Sequence, residues 1–315
     1  MKSEFEFINY IKKSYGLTAI GDDCAVLPKD DKTDMVITAD LLVEDIDFRL
    51  EWIKPEFLGH KALAVSLSDI AAMGAVPKWA MLTLAVPEAL WETDFLAQFF
   101  DGWTALAKQY SVDLVGGDIS RSPDKFVIDS IACGEAHKDR SVLRSGAKAG
   151  DAIFVSGNLG GAAGGLKILE REGSIGKSCS ANLVERQLRP DPRIELGRFL
   201  VENSIANSMI DLSDGLSSDL HHICEAGDVG AELDLRSIPV DEDLVHGFGN
   251  DESLSLALNG GEDFELLFTV AKEKISMLEN QDVTRIGTIT KHSGIVELID
   301  GATRSKLYPS GYRHF

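Results

Sequence analysis

Apolar positions change period along this chain, and each change marks an element. From Glu4 to Tyr15, Phe5, Ile8 and Ile11 or Lys12 fall near helical spacing, which predicts a short amphipathic helix. Met35-Val36-Ile37-Thr38 predicts a short buried strand ending on Ala39-Asp40. Glu56 to Gly74 predicts a helix stopped by Gly74 and Pro77. A β-rich run, Trp79 to Val86, precedes a second long helix over Thr93 to Tyr110. Val112 to Val115 then predicts a strand into Gly116-Gly117, and Phe126 to Cys133 another, bounded by Pro123 and Gly134. The small, polar, Gly-rich stretch from Ser145 to Asp151 predicts a domain boundary. Beyond it come a strand over Ala152 to Ser156, a Gly157-Asn158-Leu159-Gly160-Gly161 turn and a helix through Glu170. A further helix starts in Arg189-Pro190-Asp191-Pro192-Arg193. Strands recur at Ser208–Leu212, Ala231–Leu235, Glu265–Val270 and Arg285–Ile289, with helices between several of them. The pattern is an α/β mixture in two halves, with no short repeat and no low-complexity segment.

Seven apolar runs or Gly pairs end on a bare carboxylate: Gly21-Asp22-Asp23, Thr38-Ala39-Asp40, Ser68-Asp69, Gly116-Gly117-Asp118, Ile210-Asp211, Ser213-Asp214-Gly215 and Gly260-Gly261-Glu262-Asp263. Carboxylates at strand ends and tight turns are expensive to gather unless a cation sits among them. Hard divalent cations such as Mg²⁺ take oxygen ligands of this kind. The leading expectation is a Mg²⁺–nucleotide site assembled from distant segments.

Each carboxylate also has a plainer use. Ala62, Val65, Ser66, Asp69 and Met73 share one helical face. Asp69 there either caps a neighbouring loop or binds metal. Ser213 or Asp214 could be an N-cap, but one N-cap position does not explain both Asp211 and Asp214. The two glycines before Asp118 allow close approach to a phosphate or form a simple tight turn, and Gly260-Gly261-Glu262-Asp263 is equally ambiguous.

Composition narrows the partners. The chain has 315 residues, 44% of them hydrophobic, enough for a large core and about two domains. Its 51 acidic residues against 31 basic ones give a net charge of −20, which argues against nucleic acid or an anionic membrane. Most of these carboxylates serve solubility. A phosphate substrate is still compatible, because bound metal inverts the local field. Cys24, Cys133, Cys179 and Cys224 are far apart, with no zinc-type cluster. A reducing, cytoplasmic setting is expected, since the acidic N-terminus has no signal-peptide pattern and no apolar run is long enough to span a bilayer.

Several chemistries are excluded. Gly173-Ser174-Ile175-Gly176-Lys177-Ser178 lacks the first glycine of a P-loop, because Arg171 stands there. Leu159 occupies the place of a required glycine in a dinucleotide fingerprint, although that turn could still offer a helix N-terminus to an anion. None of the seven histidines stands beside a Ser or Cys in a nucleophile elbow. Cys24 beside Asp23 is a poor thiolate candidate.

Taken in order, these segments resemble thiamine-monophosphate kinase, a family in the superfamily of aminoimidazole ribonucleotide synthetase. The resemblance rests on Gly21-Asp22-Asp23-Cys24-Ala25, Thr38-Ala39-Asp40, the run from Lys61 to Ala75 and Gly116-Gly117-Asp118. It continues through Leu143-Arg144-Ser145-Gly146-Ala147, the run from Asp211 to Leu216, Gly260-Gly261-Glu262-Asp263 and Gly311-Tyr312. It implies transfer of the ATP γ-phosphoryl to thiamine monophosphate, with Asp118, Asp211 and Arg144 carrying catalysis. It implies several Mg²⁺ ions held by Asp22, Asp40, Asp69, Asp118, Asp211 and Asp214, with Thr38 and the Ala39 backbone as further oxygen ligands. ATP would meet Gly117, Asp118, Arg144 and Ser213, and the thiamine end would meet Asp47, Glu262 and Tyr312. The implied fold is two α/β domains. Residues 1–147 would be an ATP- and Mg²⁺-binding domain with a mixed sheet and flanking helices that pairs in a homodimer, and 148–315 a second α/β domain completing the site.

One position departs from the family. Asp45-Ile46-Asp47-Phe48 stands where a Gly-x-His-Phe is usual, so Asp47 either accepts from a donor on the substrate or leaves the pocket. Other members of the superfamily fit less well: no reactive Cys precedes Gly21, and the chain ends Arg313-His314-Phe315 with no Cys. An aminoimidazole ribonucleotide synthetase and a nucleotide-binding module without turnover are the competing expectations.

Overall fold

The computed structural model describes residues 4–17, 20–172 and 181–314, so Cys179 and the Gly173–Ser178 stretch lie outside the described residues. In the first half the chain runs α1 (Glu4–Tyr15), β1 (Ala25–Pro28), β2 (Thr33–Val43), α2 (Pro55–Ala72), β3 (Val76–Pro87), α3 (Glu88–Trp91), α4 (Phe95–Tyr110), β4 (Asp113–Ser122) and β5 (Val127–His137). A 3-10 turn at Arg144–Gly146 leads into the second half. There follow β6 (Ala152–Ser156), α5 (Gly161–Glu172), α6 (Ala181–Leu188), α7 (Ile194–Glu202), β7 (Ala206–Asp211), α8 (Leu216–Gly227) and β8 (Gly230–Asp234). The chain closes with α9 (Glu242–Phe248), α10 (Asn250–Asn259), β9 (Leu266–Val270), β10 (Val283–Thr290), β11 (Val296–Asp300) and β12 (Thr303–Lys306).

Two mixed sheets result. The first has the order β1-β2-β5-β3-β4, with only β3 and β4 parallel; the second has the order β12-β11-β8-β10-β6-β9-β7, with only β11 and β8 parallel. The expected two-part α/β organisation is observed. The strand expected to end on Ala39-Asp40 runs on, and the turn offered for Gly116-Gly117 is strand. Asp40 lies inside β2, and Gly116-Gly117-Asp118 lies inside β4. β4 is an edge strand exposed from Asp113 through Arg121, so no buried face imposed the alternation by which a strand is read.

α2 is the central element. Fourteen of its 18 residues are buried, which fits its apolar character on all sides. It packs on β5, against α4 and against α7 and β7 of the second half. Leu58, Leu63, Leu67 and Ile70 are fully buried, each contributing about 2 kcal/mol of hydrophobic stabilisation. One core cluster therefore runs across both halves, from Val36 and Phe126 to Phe154 and Phe268. Alternate residues of β6 serve two cores: Ala152 and Phe154 face this cluster, while Ile153 and Val155 face a second one beneath α8.

Candidate active site

Four distant segments deliver carboxylates to the junction of the halves. Asp23 precedes β1, Asp69 rides on the last turns of α2, and Asp211 ends β7. One carboxylate oxygen from each lies within 4.8 Å of the others. Asp40 from β2 adds to the field on Asp69. Hydroxyl groups hold these acids in place. Thr38 donates to Asp69, Ser66 to Asp40 at 2.7 Å, and Ser68 to Asp211 at 2.6 Å. Ser66 and Ser68 stand on different faces of α2, which is why one helix can address both β2 and β7.

Crowding raises the acids. Burial, and then the charge of Asp23, pushes Asp211 up to about 7, and burial brings Asp40 to about 6. Asp69 is held well above the carboxylate range by burial and then by Asp40 and Asp211. One cation is fixed among them. Arg144 forms an ion pair with Asp23, and its backbone N–H donates to Asp22 Oδ1 at 2.9 Å. Burial disfavours the charged guanidinium, but Asp23 outweighs it and its pKa is raised. Asp23 Oδ2 is buried with no hydrogen-bond partner. A hard donor set with an orphan oxygen and acids that resist ionisation together fits a divalent cation such as Mg²⁺.

Among the sequence candidates, Asp22, Thr38, Asp40, Asp69, Arg144 and Asp211 converge here. Asp23 was missed as a ligand candidate; its signal was the same Gly-Asp-Asp triplet, in which Asp22 was preferred. Ala39 pairs with Ile131 in the β2–β5 ladder, its side chain exposed. Asp214 follows on the loop after β7, raised by burial. Neither Ser213 nor Asp214 caps α8: Gly215 is the N-cap, and its N–H donates to Asp219 at 2.9 Å. The N-cap explanation for that pair therefore fails.

Gly117 and Asp118 stand apart. Gly117 pairs with Leu82, Leu82 with Ser130 and Ser130 with Asp40. Three strand spacings, about 14 Å, separate the two rows' ends. Gly117 has φ 149°, and a Cβ there would meet the Leu82 carbonyl oxygen at 1.9 Å, so no other residue fits the strand.

The remaining candidates lie near one another, beside the carboxylate group. The loop after β7 is hydrogen-bonded to the Gly260–Phe264 segment, with Glu262 N–H donating to the Ser213 carbonyl at 2.8 Å and Phe264 N–H to that of Leu212. The C-terminal segment lies on the same loop, where Tyr312 N–H donates to the Asp214 carbonyl at 3.0 Å. A Cβ on Gly311 would come 2.3 Å from that same oxygen, so the close approach needs glycine. Asp47 lies near these groups. It is half-buried, within electrostatic reach of His314, Glu262 and Lys61, and one of its oxygens accepts from Val43 N–H at 2.8 Å. Tyr312 in turn feels Asp47, Glu262 and Asp214. Asp263 does different work: it accepts from Gly160 N–H at 2.6 Å and Ala162 N–H at 3.1 Å, so the anion at the α5 N-terminus is the protein's own. Cys24 is buried, and burial with Asp69 pushes its thiol up, as its acidic setting implied.

The two sheets and the carboxylate-lined junction define the class. AIR synthase related protein, N-terminal domain, matches residues 21–136, and AIR synthase related protein, C-terminal domain, matches 148–299. The chain is 39% identical to the thiamine-monophosphate kinase of Haemophilus influenzae, over 94% of this chain and 91% of that protein. It is 38% identical to that of Bacillus subtilis, over 94% and 93%. The solved structure of AaThiL complexed with AMPPCP and TMP superposes with a TM-score of 0.90 at 36% identity, covering 99% of this chain and 97% of that one. The chain belongs to the thiamine-monophosphate kinase family.

Proposed function

We propose that this protein transfers the ATP γ-phosphoryl group to thiamine monophosphate, giving thiamine diphosphate and ADP, as a cytoplasmic enzyme. The observation that carries the reading is the group of three converging carboxylates, Asp23, Asp69 and Asp211, beside a fixed Arg144. Family membership and a relative that holds AMPPCP and TMP support it.

Asp22, Asp23, Asp40, Asp69, Asp211 and Asp214 would hold Mg²⁺, with Thr38 and the Ala39 carbonyl nearby. Bound there, Mg²⁺ would offset the repulsion between two polyanions and the charge developing in the transition state. The acceptor is a phosphate monoester whose second pKa is about 6, so its oxygen is already ionised at neutral pH and no general base is needed. That oxygen attacks the γ-phosphorus while the bond to the β-phosphate oxygen breaks, and ADP departs with the electron pair. The protein's task is alignment and charge stabilisation. Arg144, held by Asp22 and Asp23, and the Ser213 loop would position ATP. Asp47, Glu262 and Tyr312 would surround the cationic thiazolium, two carboxylates and an aromatic ring suiting a cation.

The domain boundary at 147/148 fits the gap between the two family matches. A homodimer completes the reading. The edge strand β4 exposes Leu114, Val115 and Ile119, an apolar strip on which a second copy would seat. Asp118 and Gly117 lie too far from Asp40 to serve the same protomer's carboxylate group, so they would serve the partner's. ADP release with MgATP and thiamine monophosphate, compared with thiamine and an aminoimidazole ribonucleotide precursor as acceptors, tests the function. Turnover on thiamine monophosphate alone, with thiamine diphosphate detected, is the expected result. ATP binding without it would sink the substrate assignment and leave the nucleotide site.

A further inference from the structure

Glu262 occupies a backbone position that side chains resist. Its φ is 66°, in the left-handed region, and its N–H donates to the Ser213 carbonyl. Its side-chain partners come from both halves of the molecule. Lys61 of α2 places Nζ 2.7 Å from Glu262 Oε1. Gln187 of α6 donates its amide to Oε2. Lys61 also donates to the Gln187 backbone carbonyl at 3.1 Å, which closes a ring of three residues across the junction.

The lysine is unusual. It is 1% exposed and among the largest fully buried side chains of the protein. A buried ammonium persists only where its charge is matched, and Glu262 is the one carboxylate within ion-pair distance among the described residues. Its charge is therefore spent on Glu262. Glu262 itself keeps 29% of its side chain exposed. Both carboxylate oxygens are anchored, so the group loses the rotamer freedom of a surface glutamate while staying within electrostatic reach of Asp47 and Tyr312.

We infer that Lys61 is a positioning residue: it fixes the Glu262 carboxylate across the junction in the orientation that receives the cationic end of a phosphate-bearing substrate. The inference rests on reading these residues as the thiamine monophosphate site. Lys61 then affects the acceptor through Glu262 and leaves the nucleotide alone.

The test is steady-state kinetics on the full-length enzyme, with Lys61→Met, Glu262→Gln, their combination, and Gln187→Leu. Lys61→Met should raise the KM for thiamine monophosphate about tenfold or more, with the KM for MgATP within about threefold of wild type. Adding Lys61→Met to Glu262→Gln should leave the acceptor KM within about twofold of Glu262→Gln alone, because the lysine acts through the carboxylate it holds. Gln187→Leu keeps the ion pair and releases only one oxygen, so it reads the same effect, about threefold or more, even if the lysine variant fails to fold. Losses that multiply in the double variant, a raised MgATP KM, or unchanged acceptor KM in both Lys61→Met and Gln187→Leu would overturn the inference. A wild type silent on thiamine monophosphate overturns both this inference and the substrate reading. Normal wild-type turnover with unaffected variants overturns this inference alone.

Discussion

Removing one carboxylate from the Asp23–Asp69–Asp211 group should separate chemistry from stability. Asp211→Asn keeps the shape and the Ser68 contact but relieves a group that burial and Asp23 already push up to about 7. Turnover should fall by about 100-fold or more, while the metal-free melting temperature stays level or rises. A binding module without turnover would show only altered nucleotide affinity. The same shift fixes a pH dependence. Asp211 in the folded, metal-free protein titrates at about 7 against 3.8 when unfolded, so the folded state binds the extra proton. Stability contributed by that proton is complete below pH 3.8 and is lost as pH rises to about 7. Mg²⁺ binding at these carboxylates would reverse the loss, so the increase in melting temperature on adding Mg²⁺ should be larger at pH 8 than at pH 5.5. Scanning calorimetry at the two pH values checks the sign, and an equal increase at both would contradict it.

At the scale of an element, α2 joins core, site and both halves. Ile70 is fully buried, and its neighbours Asp69 and Ser68 reach the carboxylate group. Ile70→Ala should cost about 2–4 kcal/mol. The shared core predicts that the loss appears as one cooperative transition. Denaturant unfolding followed by two probes, one in each half, would show it, and two separated transitions would mean the halves fold independently. Helix α2 was legible in sequence because it is apolar on every side and stops at Gly74 and Pro77. Strand β4 was legible only in part: an exposed edge strand carries no alternation, so its continuation through Gly116-Gly117-Asp118 had no pattern to reveal it.

The whole molecule raises the question of what Asp118 serves. If it enters the site of a partner, Asp118→Asn and Asp211→Asn proteins should each be inactive alone. Dissociated, mixed and reassociated in equal amounts, they should recover about a quarter of wild-type activity, since half the dimers are mixed and each then holds one intact site. Recovery of nothing would place Asp118 and Asp211 in one protomer's site, and an active Asp118→Asn protein would place Asp118 outside catalysis.

The chain's own order of residues determined the two α/β halves, most of the elements and the list of carboxylates, because periodicity and Gly-Asp punctuation are local properties. The tertiary structure decided which carboxylates meet. Asp23 joins the group and Asp118 does not, a matter of strand register and sheet order. It decided that Asp263 caps α5 while its neighbour Glu262 turns, through a left-handed backbone, to a buried Lys61 some two hundred residues away. It also brought Asp47 within electrostatic reach of Glu262 and His314. Such pairings depend on how two sheets pack around one helix, and a distance between far segments is written nowhere in the local pattern.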